Sequence, residues 1–184
     1  SSDHSRIRDI AGDLLARFPD GITLSLPSLR INSFDMALAR KIEGGRKTTL
    51  TLAPEAGTQR LRNVINKCIT EEEMEKAIAL AVTAGWQQIK LYFMIGLPEE
   101  TDEDVAGIAL LIDKFQKLVR SAGKKRVHLG VSVSTFVPKA HTPFQWFAQI
   151  SREEMNRRQQ VLREALKGKK VDLSWHDPDS SYLE

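Results

Sequence analysis

Apolar residues recur along this chain with two periods, one near 3.6 and one of 2, and the switches between them divide it into helices and strands. Ile7, Ile10, Ala11, Leu14, Leu15 and Phe18 fall at helical spacing, and Pro19-Asp20-Gly21 stops that run. A strand is predicted over residues 22–26, a short helix over 34–42 closed by Gly44-Gly45, and a second strand over 48–53. Thr58 caps a short helix through Val64. Thr70 with Glu73 has the spacing of a capping box and opens a helix through Met74, Ala77, Ile78 and Ala81, which Gly85 ends. Residues 89–95 are nearly all apolar, the composition expected of a strand covered on both faces.

Thr101-x-x-Asp104 opens the longest helix, carried by Val105, Ile108, Leu111, Ile112, Phe115, Leu118 and Val119. Val127, Leu129, Val131, Val133, Thr135 and Val137 then alternate as a strand, and Ser151-x-x-Glu154 opens a last helix that runs to Leu166 and stops at Gly168. Val171, Leu173 and Trp175 suggest one more short strand. Strands alternating with helices imply an α/β fold with parallel strands and right-handed crossovers. The long loop over 138–150 holds Phe144, Trp146 and Phe147, which are expected to pack rather than to cover an opening.

At 184 residues and 41% hydrophobic, the chain is long enough to bury one substantial core, and a single domain is expected. No apolar run of about 18 residues occurs, so no membrane partner is expected, and one cysteine suits a reducing cytoplasm better than a disulfide scaffold. The net charge is only +3. Basic clusters at Lys124-Lys125-Arg126, Arg157-Arg158 and residues 167–170 read as solvated helix ends before they read as an RNA-binding patch. His4, His128, His141 and His176 lack metal-ligand spacing, and no nucleophile with base and acid is evident.

Two segments carry the candidate chemistry. Glu55-Ala56-Gly57-Thr58-Gln59-Arg60-Leu61 follows one strand, and Ile95-Gly96-Leu97-Pro98-Glu99-Glu100-Thr101 follows the next, with a helix between them. In parallel α/β folds the loops after strand C-termini hold the functional groups. This order resembles the radical S-adenosylmethionine (SAM) superfamily, in particular the branch with methylthiotransferases and cobalamin-associated enzymes. There the fourth barrel strand ends in an E/Q-S-G-S-x-R-x-L type of loop and the fifth in IGLPGET. The resemblance continues through Val127 to Pro143 and implies a partial (β/α) barrel, about strands three to six of a radical SAM core, over residues 1–170. Residues 171–184 would be a short strand and a tail.

Such enzymes bind SAM and a [4Fe–4S] cluster, which the superfamily holds with three cysteines in C-x3-C-x2-C. This chain has only Cys68, so it does not hold that cluster by itself. The resemblance therefore leads us to expect a chain that starts at the end of barrel strand two, without strand one and the cluster loop, and that is inactive on its own.

The resemblance also implies roles for individual residues. Glu55 would accept from the ribose hydroxyls, Lys67 would pair with the SAM carboxylate, and Ile95 with Gly96 would flank the adenine. Phe136 and Val137 would offer backbone groups to the adenine edge, and Arg30, with Asn32 beside it, would add a cation. The alternatives are that Glu55 is a cap for the helix that begins near Thr58, a reading placed behind ribose binding, and that Lys67 is a solvated cation. Ser1, Ser2 and Asp3 fall where the loop for the SAM amino group would be. Two other function classes stay open: an RNA-binding module, and an aldolase-type barrel lyase with Lys90 or Lys139 as Schiff-base amine. The substrate is not readable from the sequence. A further expectation is self-association through the edge strand at 22–26, whose backbone groups would be unpaired.

Overall fold

A computed structural model describes residue 4, residues 6–18, residue 31, and residues 49–122, 127–177 and 180–181. The expected strand at 22–26, the helix at 34–42, Gly44-Gly45, Arg30, Asn32, Ser1 to Asp3 and the cluster Lys124-Lys125-Arg126 lie outside the described residues.

The described elements run α1 (Ile7–Arg17), β1 (Leu50–Glu55), α2 (Gln59–Val64), α3 (Glu71–Thr83), β2 (Gln88–Ile95), α4 (Asp102–Ser121), β3 (His128–Thr135), a 3-10 turn (Pro143–Trp146), α5 (Arg152–Ala165) and β4 (Asp172–Trp175). The strands form one sheet in the order β1-β2-β3-β4. Gly130 pairs with Asp172 and Val133 with Trp175 in parallel register. His128 N donates to Gln87 O and Phe136 N to Ile95 O, a constant offset that sets β3 parallel to β2 as well. The α/β architecture expected from the alternation is thus present, as a four-stranded parallel sheet flanked by helices.

The helix starts follow the local signals. Thr58 Oγ1 accepts from Leu61 N, and the Thr70 and Glu73 side chains each take the other's backbone N–H. Ser151 Oγ accepts from Glu154 N in the same way. The end of α3 is a Schellman turn: Gly85 has φ +90°, Trp86 N reaches Ala81 O at 3.0 Å and Gly85 N reaches Val82 O at 3.1 Å.

The chain divides into two compact units. The first comprises Ser1–Ala53, Ile69–Leu91 and Phe115–Leu129, and the second Pro54–Cys68, Tyr92–Lys114 and Gly130–Glu184. In the first, Leu50, Leu52, Met74, Ile78, Trp86, Ile89, Leu91 and Phe115 are buried. In the second, Leu61, Phe93, Ile95, Leu97, Ile108, Ile112, Val131, Val133, Phe136 and Leu162 are buried.

One expectation is corrected here. Strand β2 is not covered on both faces: Ile89, Leu91, Phe93 and Ile95 are buried, whereas Lys90 and Met94 are half-buried and Tyr92 is exposed. β3 alternates in the same way, with Leu129, Val131, Val133 and Thr135 buried. Apolar Tyr92 and Met94 hide the period of 2 in β2, because aromatic and thioether side chains are tolerated on a partly open face.

Candidate functional site

The candidate site lies in the second unit, at the C-terminal ends of the strands. Glu55, the last residue of β1, has φ +70°, a left-handed conformation that a residue with a Cβ seldom adopts. That turn ends the strand and sets the carboxylate beside Lys67. The lysine arrives through a second Schellman turn. Asn66, at φ +54°, ends α2, with Lys67 N bonded to Arg62 O at 2.8 Å and Asn66 N to Asn63 O at 3.1 Å. Lys67 Nζ then donates to Glu55 Oε1 at 3.0 Å, both side chains remaining partly exposed. Thr58, not Glu55, caps α2, so the alternative reading of Glu55 as a helix cap is corrected.

A cavity of about 520 Å³ opens beside this pair. Each strand contributes to its wall near its end: Glu55 from β1, Met94 from β2, Ser134 from β3 and His176 just after β4. Lys67, Leu97, Phe136, Val137, Lys139 and Phe144 complete most of the remainder. Phe136 belongs to the core cluster with Ala56, Leu61 and Leu97. Phe144 meets Phe136 edge to face at 5.9 Å and Phe147 at 5.4 Å. The long loop therefore behaves in two ways. Phe144 is half-buried, packing on Phe136 while it also lines the cavity, whereas Phe147 and Trp146 are exposed, Trp146 at 85%, so the packing expected of all three holds only for Phe144.

Of the predicted site residues, the structure gathers Glu55, Lys67, Phe136 and Val137 around one cavity. Ile95 and Gly96 are not in its lining. Ile95 is fully buried, and the open side of Gly96, at φ +82°, is filled by Ile150, whose Cδ1 would lie 2.7 Å from an added Cβ. Gly96 N donates instead to Glu100 Oε2 at 2.7 Å. Arg30 lies outside the described residues.

Behind the site lies an ionic framework that sequence reading missed. Glu100 Oε2 also accepts from Arg158 Nη1 at 2.5 Å, and both side chains are largely buried. Burial pushes the Glu100 carboxyl up, against the pull of Gly96 N–H and Arg158. Asp104 is 2% exposed and accepts from Thr58 Oγ1, Arg60 Nη2 and Thr101 N. Burial opposes its ionisation, but Arg60, Thr58 and Thr101 outweigh that and hold the carboxyl below the usual range. Arg62 is wholly buried and donates to Ala56 O at 2.9 Å. The only sequence signals were Thr101-x-x-Asp104 and the charge of these residues.

Arg157 and Arg158, one of the basic clusters, are committed to carboxylates: Arg157 to Asp102 and Glu154, Arg158 to Glu154 and Glu100. Lys169 pairs with Asp113. These contacts spend charge that an RNA backbone would need. The two arginines hold the Glu154 carboxyl down at about 2. Its folded value is depressed, so its contribution to stability is present above the ordinary glutamate range and is lost as pH falls through about 2. A carbon NMR titration should give that midpoint, and Arg157→Gln with Arg158→Gln should raise it toward the ordinary value. Solvent screening keeps the stability share of this exposed site small.

Among the described residues no group of three or more His, Cys, Asp or Glu side chains is placed to hold a metal ion. Cys68, the chain's single cysteine, is exposed. Nor is any described helix long and apolar enough to cross a membrane.

No family model matches the chain. An uncharacterized protein of Methanocaldococcus jannaschii is 40% identical over 125 residues, which make up 68% of this chain and 26% of that protein. The chain therefore spans about a quarter of that relative's length.

Proposed function

We propose that this chain is the nucleoside-holding part of a radical SAM core, whose complete form cleaves SAM reductively to a 5′-deoxyadenosyl radical and abstracts hydrogen from a further substrate. One observation carries the reading: Glu55, Lys67, Phe136 and Val137, from three separate segments, line a single cavity of a size suited to a nucleotide-like ligand. The two sequence motifs support it, as does the strained backbone of Glu55, since such strain persists where a side chain must be aimed.

The residues fit the adenosyl part of SAM. Glu55 gives one oxygen to Lys67 and keeps acceptor capacity for two adjacent ribose hydroxyls, while Lys67 neutralises and orients the carboxylate. Phe136, Phe144 and Met94 offer an apolar surface for a base. Lys67 therefore acts through Glu55 as much as on a ligand carboxylate. The [4Fe–4S] cluster does not fit this chain, which has one cysteine where three are needed, so no step is routed through it here.

Adenosine titrated into labelled protein tests the reading. The signals of Glu55, Phe136 and Phe144 should move, and Glu55→Ala should weaken binding about tenfold or more, equivalent to about 1.4 kcal/mol. Unchanged adenosine affinity in a folded Glu55→Ala protein would overturn it. A second reading, a Schiff-base lyase, is favoured by one observation, the presence of Lys139 in the cavity wall. Borohydride trapping of a carbonyl compound on Lys139 distinguishes the two.

A further inference from the structure

The cavity has two polar ends. Among the described strands, Glu55 closes β1, with Lys67 beside it, at one end of the strand order, and His176 follows β4 at the other. Three strand spacings of about 4.8 Å put these two strands about 14 Å apart, so a nucleoside held at the first end need not reach the second. At the β4 end His176 Nδ1 lies 3.1 Å from Ser181 Oγ, and both residues line the cavity. Ser181 is 2% exposed, and its carbonyl oxygen accepts from Gln149 Nε2 at 3.0 Å, which ties this segment to the loop before α5. Neither residue is absorbed by the role given to Glu55 and Lys67.

Proton accounting decides what this end presents. The Ser181 hydroxyl has one proton, and Oγ lies 3.3 Å from the Asp177 carbonyl oxygen, four residues earlier, which can only accept. If the proton is spent there, the Nδ1–H tautomer of His176 is the one that donates to Ser181 Oγ, 3.1 Å away, and Nε2 is then left without a proton. Ser134, the β3 residue in the wall, likewise directs its hydroxyl to the Phe93 carbonyl oxygen at 3.5 Å. His176 Nε2 and Ser134 Oγ are then left as acceptors.

We propose that the β4 end of the cavity is a second ligand site, in which His176 Nε2, aided by Ser134 Oγ, accepts hydrogen bonds from the O–H or N–H groups of a neutral polyol or amine. The proposal rests on reading the cavity as a ligand site, and it adds the class of the second ligand. An anion gains no hydrogen bond from His176 Nε2 in this tautomer and would depend on Lys67 or Lys139 elsewhere in the wall. Ser181 is the positioning residue: it selects the tautomer and so decides which hydrogen-bonding face the ring offers.

Long-range proton–nitrogen correlation on histidine-labelled protein at pH 8 tests this. His176 is expected in the Nδ1–H form in the wild type and in the Nε2–H form in Ser181→Ala. D-ribose should move the His176 Nε2 signal, sodium acetate should not, and His176→Phe should keep its adenosine affinity at the Glu55 end. An Nε2–H tautomer in the wild type, or acetate acting as strongly as ribose, would overturn the proposal. Failure of adenosine to move Glu55 and Phe136, with the His176 result intact, would instead count against the nucleoside reading alone.

Discussion

Gly57→Ala should cost about 3 kcal/mol of stability, the upper end of what an extra methyl group costs in a well-packed interior. A Cβ at Gly57 would lie 2.3 Å from Ile108 N, 2.5 Å from Asp104 O and 2.7 Å from Gly107 C, all backbone atoms of α4. Backbone within a helix has no rotamer to change, so α4 and the loop before α2 must move apart. That movement stretches the bonds from Thr58 and Arg60 to Asp104. Thermal unfolding should shift by about 6–12 °C for a chain of this length. Gly168→Ala is the control. Gly168 has φ +79°, and nothing lies within 4 Å of an added Cβ, so only the left-handed backbone is penalised, at about 1 kcal/mol. Equal losses in the two variants would show that steric contact at Gly57 is not the cause.

Glu100→Leu is the second large effect, expected at about 4 kcal/mol. The substitution removes the acceptor for both Gly96 N and Arg158 Nη1, leaving a buried N–H without its partner and a largely buried guanidinium without one of its two carboxylates. Glu100→Gln keeps an oxygen for one donor and should lose about half as much. Urea unfolding of the two variants measures this, and a Glu100→Leu protein as stable as the wild type would mean that the pair supplies no net stability. The linkage sign for Glu100 is opposite to that of Glu154. Burial raises its folded value, so its own titration favours the folded state below the ordinary glutamate range, and that advantage fades as pH rises through the raised value. The benefit of the pair to Arg158 opposes this at neutral pH.

The site was legible in the sequence where its signals are local. Glu55 could be placed at a strand end because Leu50 and Leu52 alternate into it, and Lys67 could be named from its distance along the motif. Their direct contact could not, because it depends on Asn66 entering the left-handed region and turning the chain back at the end of α2. Gly96 illustrates the reverse. It was expected to flank adenine, yet its φ of +82° serves a turn and the space beside it is filled by Ile150, fifty-four residues later. His176 carried no motif at all and gains interest only because β4 pairs with β3 and brings the end of that strand to the cavity.

What the sequence determined by itself, among the described residues, is the order of helices and strands from residue 49 onward and four helix starts there: Thr58, Thr70 with Glu73, Thr101 with Asp104, and Ser151. These depend on apolar periods and on hydrogen bonds that span three or four residues, which any short segment contains in full. Only the tertiary structure decided that Gly57 is a packing glycine against Gly107, that Glu100 meets Arg158, and that one face of β2 is left half open. Those outcomes join residues about 40 to 60 positions apart, so they follow from how elements stack on the sheet, and side-chain charge or size alone does not name the partner.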